Sequence, residues 1–317
     1  MTAPVALFAY NRPDLLRRTL DALAENPGAM QTDLIVWSDG AKNNGEDQAK
    51  VAAVRAVLDT AEGRFRSVER HDSPVNRGLA ASIIHGVTDT VDRYGSVIVL
   101  EDDLLPSPFF LKYMNDALTL YADCEQVVSI HAHFPADPAG LPETFFLRGA
   151  NCWGWATWKR GWDIMETDGR KLLKALDKSG ERARFDYNRS FPYRAMLRGQ
   201  VCGNTESWAI RWYAATFLSG KLTLNTRISL VTHTGYAEGT HFSGAADADA
   251  ESYRRETPVD VRFQEPVCSQ EGTDAMVAMY RKGNHMVWHK LLRSFLRDLT
   301  PKPLLKTYRR LKKGLGF

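Results

Sequence analysis

The chain has 317 residues, 44% hydrophobic and 25% charged, with a formal net charge of +3. This is an ordinary globular composition, enough for one large or two modest domains that bury roughly three quarters of the unfolded surface. Its four cysteines, Cys124, Cys152, Cys202 and Cys268, form no C-x-x-C pair, which argues against a cysteine zinc site or a disulfide framework and fits a reducing, cytoplasmic compartment. No basic segment followed by a long apolar run opens the chain, and no stretch of about 18 apolar residues occurs, so neither a signal peptide nor a transmembrane helix is expected.

In chain order, strand-like and helix-like patterns alternate over the first 130 residues. Val5–Tyr10 reads as a strand, and Pro13 opens an amphipathic helix that runs to about Leu23. Leu34–Trp37 is a second strand, ending at Ser38-Asp39-Gly40, and Gln48–Leu58 has helical spacing. A short strand near Phe65–Glu69 and a helix over Gly78–Val91 follow. Val97–Leu100 is a strand, Pro108–Tyr121 a helix and Val127–Ile130 another strand. Alternation of this kind predicts an α/β fold, a mostly parallel sheet flanked by helices on both faces.

The strand at Val97–Leu100 runs directly into Glu101-Asp102-Asp103. In an open α/β sheet the carboxyl ends of the strands are where ligands bind. Three adjacent like charges need an offset, and a hard divalent cation, Mn²⁺ or Mg²⁺, supplies one through carboxylate oxygens. Three further loops fall on the same edge of a parallel sheet: Asn11-Arg12-Pro13, Ser38-Asp39-Gly40 and Pro74-Val75-Asn76-Arg77-Gly78. Together they offer hydrogen-bonding side chains, guanidinium groups, glycines that allow close backbone approach, and a metal site. That set suits a nucleotide carrying a diphosphate.

The second half is less regular. Leu141–Trp162 is aromatic and contains glycines, Ser207–Leu218 reads as a buried helix and Leu222–Val231 as a strand. Thr234–Glu251 reads as a long polar loop, and His285–Arg297 and Pro303–Lys313 as helices of a C-terminal tail. Gly149-Ala150-Asn151-Cys152-Trp153-Gly154-Trp155-Ala156-Thr157-Trp158 combines aromatic faces, which stack on sugar rings, with glycines. One of Trp153 and Trp155 is expected to touch sugar, and Trp158 to be core. Thr205 is a candidate N-cap that would put Glu206 in the first turn of the following helix, where a carboxylate could serve as a general base.

These motifs resemble GT-A fold glycosyltransferases, of the family 2 type or of the kind that starts complex N-glycans with N-acetylglucosamine. The aromatic segment is similar to a Ser-Trp-Gly-Trp-Ala-Thr-Trp motif of bacterial sugar transferases, with Cys152 standing where that motif has serine. The resemblance covers about residues 4–245. It implies a metal-dependent, inverting transfer from a nucleoside-diphosphate sugar, by default a UDP-sugar, to a hydroxyl of a glycan or lipid-linked acceptor in polysaccharide or glycoconjugate synthesis. It implies Asp39 at the nucleobase, Asp102 near the ribose or a metal-bound water, and Asp103 as direct metal ligand. Asn11, Arg12, Asn76, Arg77, Gly78, Glu101, Trp153 and Trp155 would complete the donor site. Glu206 would be the catalytic base, and His241, in a Gly-Thr-His segment, a further metal ligand with His233 as its competitor. Residues 1–131 would then form the nucleotide-sugar half and 132–250 the acceptor half of one domain, with 251–317 as an extension.

Two rival readings are a sugar-phosphate nucleotidyltransferase and a non-catalytic carbohydrate-binding protein of degenerate transferase fold. The first normally opens with a Gly-rich loop where this chain has Tyr10-Asn11-Arg12-Pro13. The tail adds a separate expectation. Lys290–Phe317 holds nine Lys or Arg and one Asp, while the remainder carries 32 basic and 37 acidic residues. Leu304, Leu305, Tyr308 and Leu311 give it an apolar face, so docking on an anionic membrane surface is expected, and no nucleic-acid partner.

Overall fold

The computed structural model describes residues 2–136, 139–235 and 257–282. Strands β1 (Val5–Ala9), β2 (Asp33–Ser38), β3 (Ser67–Asp72) and β4 (Ser96–Glu101) alternate with helices α1 (Pro13–Ala24), α2 (Gly45–Leu58) and α3 (Leu79–Tyr94). They pair in parallel in the order β3-β2-β1-β4. β1 and β2 are buried along their whole length, as expected for strands covered on both faces and read from continuous apolar runs.

Beyond β4 the chain departs from simple alternation. After β5 (Leu104–Pro106) and α4 (Phe110–Leu120) come β6 (Val127–His131), β7 (Thr144–Arg148) and β8 (Trp155–Trp158). Helices α5 (Lys159–Trp162), α6 (Gly169–Ser179), α7 (Arg182–Phe185), α8 (Tyr193–Val201) and α9 (Trp208–Leu218) precede β9 (Leu222–Thr226) and β10 (Val231–His233). β8 inserts antiparallel between β4 and β6, and the eight-stranded sheet ends in β6-β9-β7. Four of its seven pairings are parallel, so the expected α/β fold with a mostly parallel, helix-flanked sheet is found, and strands from both halves of the chain share the sheet.

Two local expectations are corrected. Leu222–Val231 is not one strand: β9 joins the large sheet, whereas β10 turns away to pair with β5. The last helix of this region starts at Trp208, not after Thr205, and its N-cap is Ser207, whose side chain accepts from the Ile210 N–H. Trp208 must enter the cluster formed by Trp155, Trp162 and Trp212, and burial of that indole fixes the helix start more firmly than a cap preference does. Residues 270–282 are helical. The tail helices expected over 285–297 and 303–313 lie outside the described residues. Among the described residues no helix is long and apolar enough to cross a membrane.

The outer strand β3 is tied to α3 by charge. Arg93 donates from Nη1 to Glu69 Oε1 at 2.8 Å and from Nη2 to Oε2 at 2.6 Å. That guanidinium holds the Glu69 carboxyl down to about 2, with burial opposing and His71 assisting. A depressed folded-state value stabilises the fold above the ordinary carboxylate value and loses that contribution as pH falls from there towards 2. The pair is about one-third exposed, so screening limits it to about 1 kcal/mol. Glu69→Gln should therefore lower the urea midpoint at pH 7, and the gap from the parent should close as pH is taken from 4.5 to 3. A gap that does not change with pH would assign the effect to packing instead.

Candidate functional site

β4 ends at Glu101, and the following turn places Asp102 and Asp103 at the carboxyl edge of the sheet centre. Asp102 and Asp103 are buried and Glu101 is half-buried. Burial, with the charges of Asp103 and Asp102, pushes the Glu101 carboxyl up to about 8. Burial and Asp103 push Asp102 up to about 7. Burial would raise Asp103 too, but His233 and Arg12 outweigh it and hold that carboxyl below its ordinary value. Arg12 Nη1 lies 2.6 Å and His233 Nε2 3.4 Å from the same oxygen, Asp103 Oδ2. The pairing of β10 with β5 brings His233 there, opposite Leu104. Thr234 fixes the turn by donating its N–H and its hydroxyl to the Asp103 carbonyl, at 2.8 and 3.1 Å.

The turn after β1 is strung between two sets of acids. The Tyr10 N–H donates to Asp102 Oδ2 at 3.0 Å, and Arg12 reaches Asp103. Asn11 Nδ2 donates to Asp47 Oδ1 at 2.7 Å. The Tyr10 hydroxyl and the Lys42 N–H donate to the other oxygen of Asp47. Asn11 is thus engaged with Asp47, and Asp47 joins the site as a residue the sequence reading missed. Its only local signal was its place in the first turn of α2, where its N–H is capped by Asn44.

Asp39 accepts from its own loops. Its Oδ1 accepts the N–H groups of Gly40 and Arg77, at 2.9 and 2.8 Å. Its Oδ2 accepts from Asn76 Nδ2 and the Gly78 N–H, at 3.2 and 2.9 Å. A carboxylate offers about four lone-pair sites, and four donors fill them. Asp39 therefore organises the loop that carries Asn76, Arg77 and Gly78. Gly40 permits the contact, since a Cβ there would lie 2.3 Å from the Val75 carbonyl carbon. Gly78, at φ +81°, is the N-cap of α3.

The aromatic segment divides sharply. Trp155, the first residue of β8, is fully buried, 5.6 Å between ring centroids from both Trp208 and Trp212, so it has no face for a sugar. Its expected ligand role is corrected by its register: β8 lies between β4 and β6, and its side chain fills the core under α9. Trp158 is core, as expected. Trp153 is half-buried, with His133 at 4.8 Å and His233 at 4.7 Å between ring centroids, beside the acids. Cys152 adjoins it, and burial, together with the Glu101 and Asp103 charges, pushes its thiol far up.

Glu206 is exposed and sits immediately before the N-cap of α9. A Cβ built on Gly78 would lie 3.9 Å from Glu206 Oε2. The carboxylate therefore faces the positive end of α3 and the loop that Asp39 shapes. His241 lies outside the described residues. Among the described residues no group of three or more His, Cys, Asp and Glu forms a ready-made metal cage.

No protein-family model and no curated protein matches the chain. Solved structures with limited likeness include a mannosyltransferase of Pyrobaculum calidifontis in complex with GDP-Man and Mn²⁺, at 14% identity and TM-score 0.38, covering 69% of this chain and 70% of that one. Staphylococcus aureus TarS gives 13% identity and TM-score 0.35 over 61% of this chain and 33% of its own. A mycobacterial protein gives 13% and 0.33 over 56% and 62%. Likeness of this degree does not define an activity.

Proposed function

We propose that this protein is a metal-dependent glycosyltransferase that moves a sugar from a nucleoside-diphosphate sugar, a UDP-sugar by default, to an acceptor hydroxyl with inversion. The observation that carries the reading is the meeting of Arg12, His233 and Asp103 at one oxygen beside two further carboxylates, at the sheet edge where ligands bind. A carboxylate and an imidazole are a donor set that Mn²⁺ accepts, and the crowded acids gain from a cation. Asp103 and His233 would hold the metal, His233 taking the nitrogen-ligand role expected of His241. When bound, the metal would supply Lewis-acid stabilisation of the leaving diphosphate. Asp39 keeps the Asn76–Gly78 loop in place at the donor, Trp153 offers an aromatic face to sugar, and Glu206 takes the proton of the acceptor hydroxyl.

The test is a panel of nucleotide-sugars, including UDP-glucose, UDP-N-acetylglucosamine and GDP-mannose, scored for release of nucleoside diphosphate with and without Mn²⁺. Thermal melting with the free diphosphates accompanies it; a ligand at 100 times its dissociation constant should stabilise by about 2.7 kcal/mol. No release and no metal-dependent stabilisation by any nucleotide would overturn the proposal. Release of pyrophosphate from a nucleoside triphosphate and a sugar phosphate would point to a nucleotidyltransferase.

The two tryptophans should separate structure from binding. Trp155→Phe is expected to lower stability by about 1–3 kcal/mol while leaving donor and acceptor KM unchanged. Trp153→Ala should do the reverse, with a small loss of stability and a KM raised about 10-fold for one substrate. Melting curves and initial rates on the same preparations check both; identical behaviour of the two variants would place Trp153 in the core.

A further inference from the structure

We propose that Arg12 is a positioning residue that holds Oδ2 of Asp103, the oxygen assigned to the metal, and competes with a divalent cation for it. This rests on the reading of Asp103 as a metal ligand and adds what guards that ligand. Arg12 Nη1 approaches Asp103 Oδ2 to 2.6 Å, closer than His233 Nε2 at 3.4 Å. A guanidinium cannot shed its proton in a protein, so its positive charge is permanent. A cation arriving at Oδ2 therefore meets an existing cation on the same atom, and the two compete for it.

The surroundings make the exchange feasible. The Arg12 side chain is 25% exposed and that of Asp103 12%, so the guanidinium can swing into the cleft while the carboxylate stays seated. Arg12 also sits in the residue before Pro13, at the N-cap of α1, with Tyr10 and Asn11 held by Asp102 and Asp47. The backbone on either side is fixed, and only the side chain needs to move. Gly235 borders the same space: a Cβ there would lie 2.8 Å from Asp103 Oδ2 and 3.2 Å from Arg12 Nη1. A released guanidinium is then free to pair with the donor diphosphate, a bidentate match that lysine does not reproduce.

The signature is opposite signs in one variant. In Mn²⁺ titrations of the full chain followed by the electron paramagnetic resonance signal of free Mn²⁺, Arg12→Gln should bind the metal alone about 10-fold more tightly than the parent. Arg12→Lys, which keeps the charge, should stay near the parent. With Mn²⁺ saturating, calorimetric titration of UDP and of GDP should show the nucleotide that binds the parent binding Arg12→Gln about 10-fold more weakly. Asp103→Asn is the companion variant, and melting curves confirm that each protein is folded. If Asp103→Asn loses Mn²⁺ while Arg12→Gln binds it no more tightly than the parent, the competition is wrong and the metal assignment stands. If Asp103→Asn binds Mn²⁺ as the parent does, both fail. Mn²⁺ affinity raised equally by Arg12→Gln and Arg12→Lys would assign the effect to space and overturn the charge competition.

Discussion

Asp103→Asn is expected to lower metal-dependent nucleotide affinity by 100-fold or more while leaving the protein folded. The substitution keeps size and shape and removes one negative charge at the atom where Arg12 and His233 meet. Its main-chain carbonyl still accepts from Thr234, so the turn between β4 and β5 stays tied to the end of β10. Within the acid group the loss of charge is favourable, because the Asp103 charge helps push Glu101 and Asp102 up to about 8 and 7. The partners that hold the Asp103 carboxyl below its ordinary value are lost at the same time, so melting temperature in the absence of metal should fall slightly, the relief among the acids offsetting part of the lost ion pair. Calorimetric titration of nucleoside diphosphate with Mn²⁺ gives the answer. Unchanged affinity in a folded variant would falsify the metal assignment.

Glu206→Gln is expected to lower turnover by about 100-fold or more with donor affinity unchanged, the pattern of a lost general base. The carboxylate is exposed, lies outside helix α9 and faces Gly78, so the amide should fit without strain and stability should hold. Single-turnover rates against donor titrations separate the two quantities. Turnover within a few-fold of the parent would move the base elsewhere and leave Glu206 as a charge at the start of α3.

Much of the fold of the first half was legible because its signals are local. The runs Val5–Tyr10, Leu34–Trp37 and Val97–Leu100 are largely apolar and bounded by turn residues, and each matches a strand to within one residue at either end. Parallel pairing then places the loops after them on one edge without any knowledge of side-chain contacts. The carboxylates at the end of β4 followed from the same logic. The second half was harder because its strands pair out of order. Nothing local distinguishes β8, which inserts antiparallel between β4 and β6, from an aromatic loop. The same insertion buries Trp155 and leaves Trp153, two residues away, half-buried beside His233.

By itself, then, the sequence determined the α/β class, the edge at which chemistry-bearing loops collect, and the acids Glu101, Asp102 and Asp103 at its centre, because apolar runs, turn residues and charges act over a few positions. Only the tertiary structure decided how those groups are used. It set His233 beside Asp103 through a β5–β10 pairing that spans some 130 residues of chain, filled Asp39 with four donors from its own loops, and drew Asn11 to Asp47. It also started α9 at Trp208, where the core needed an indole, and so put Glu206 before the helix rather than in it. Each of these is settled by burial and hydrogen-bond satisfaction between segments far apart in the chain, and such constraints arise only once the sheet has closed over its core.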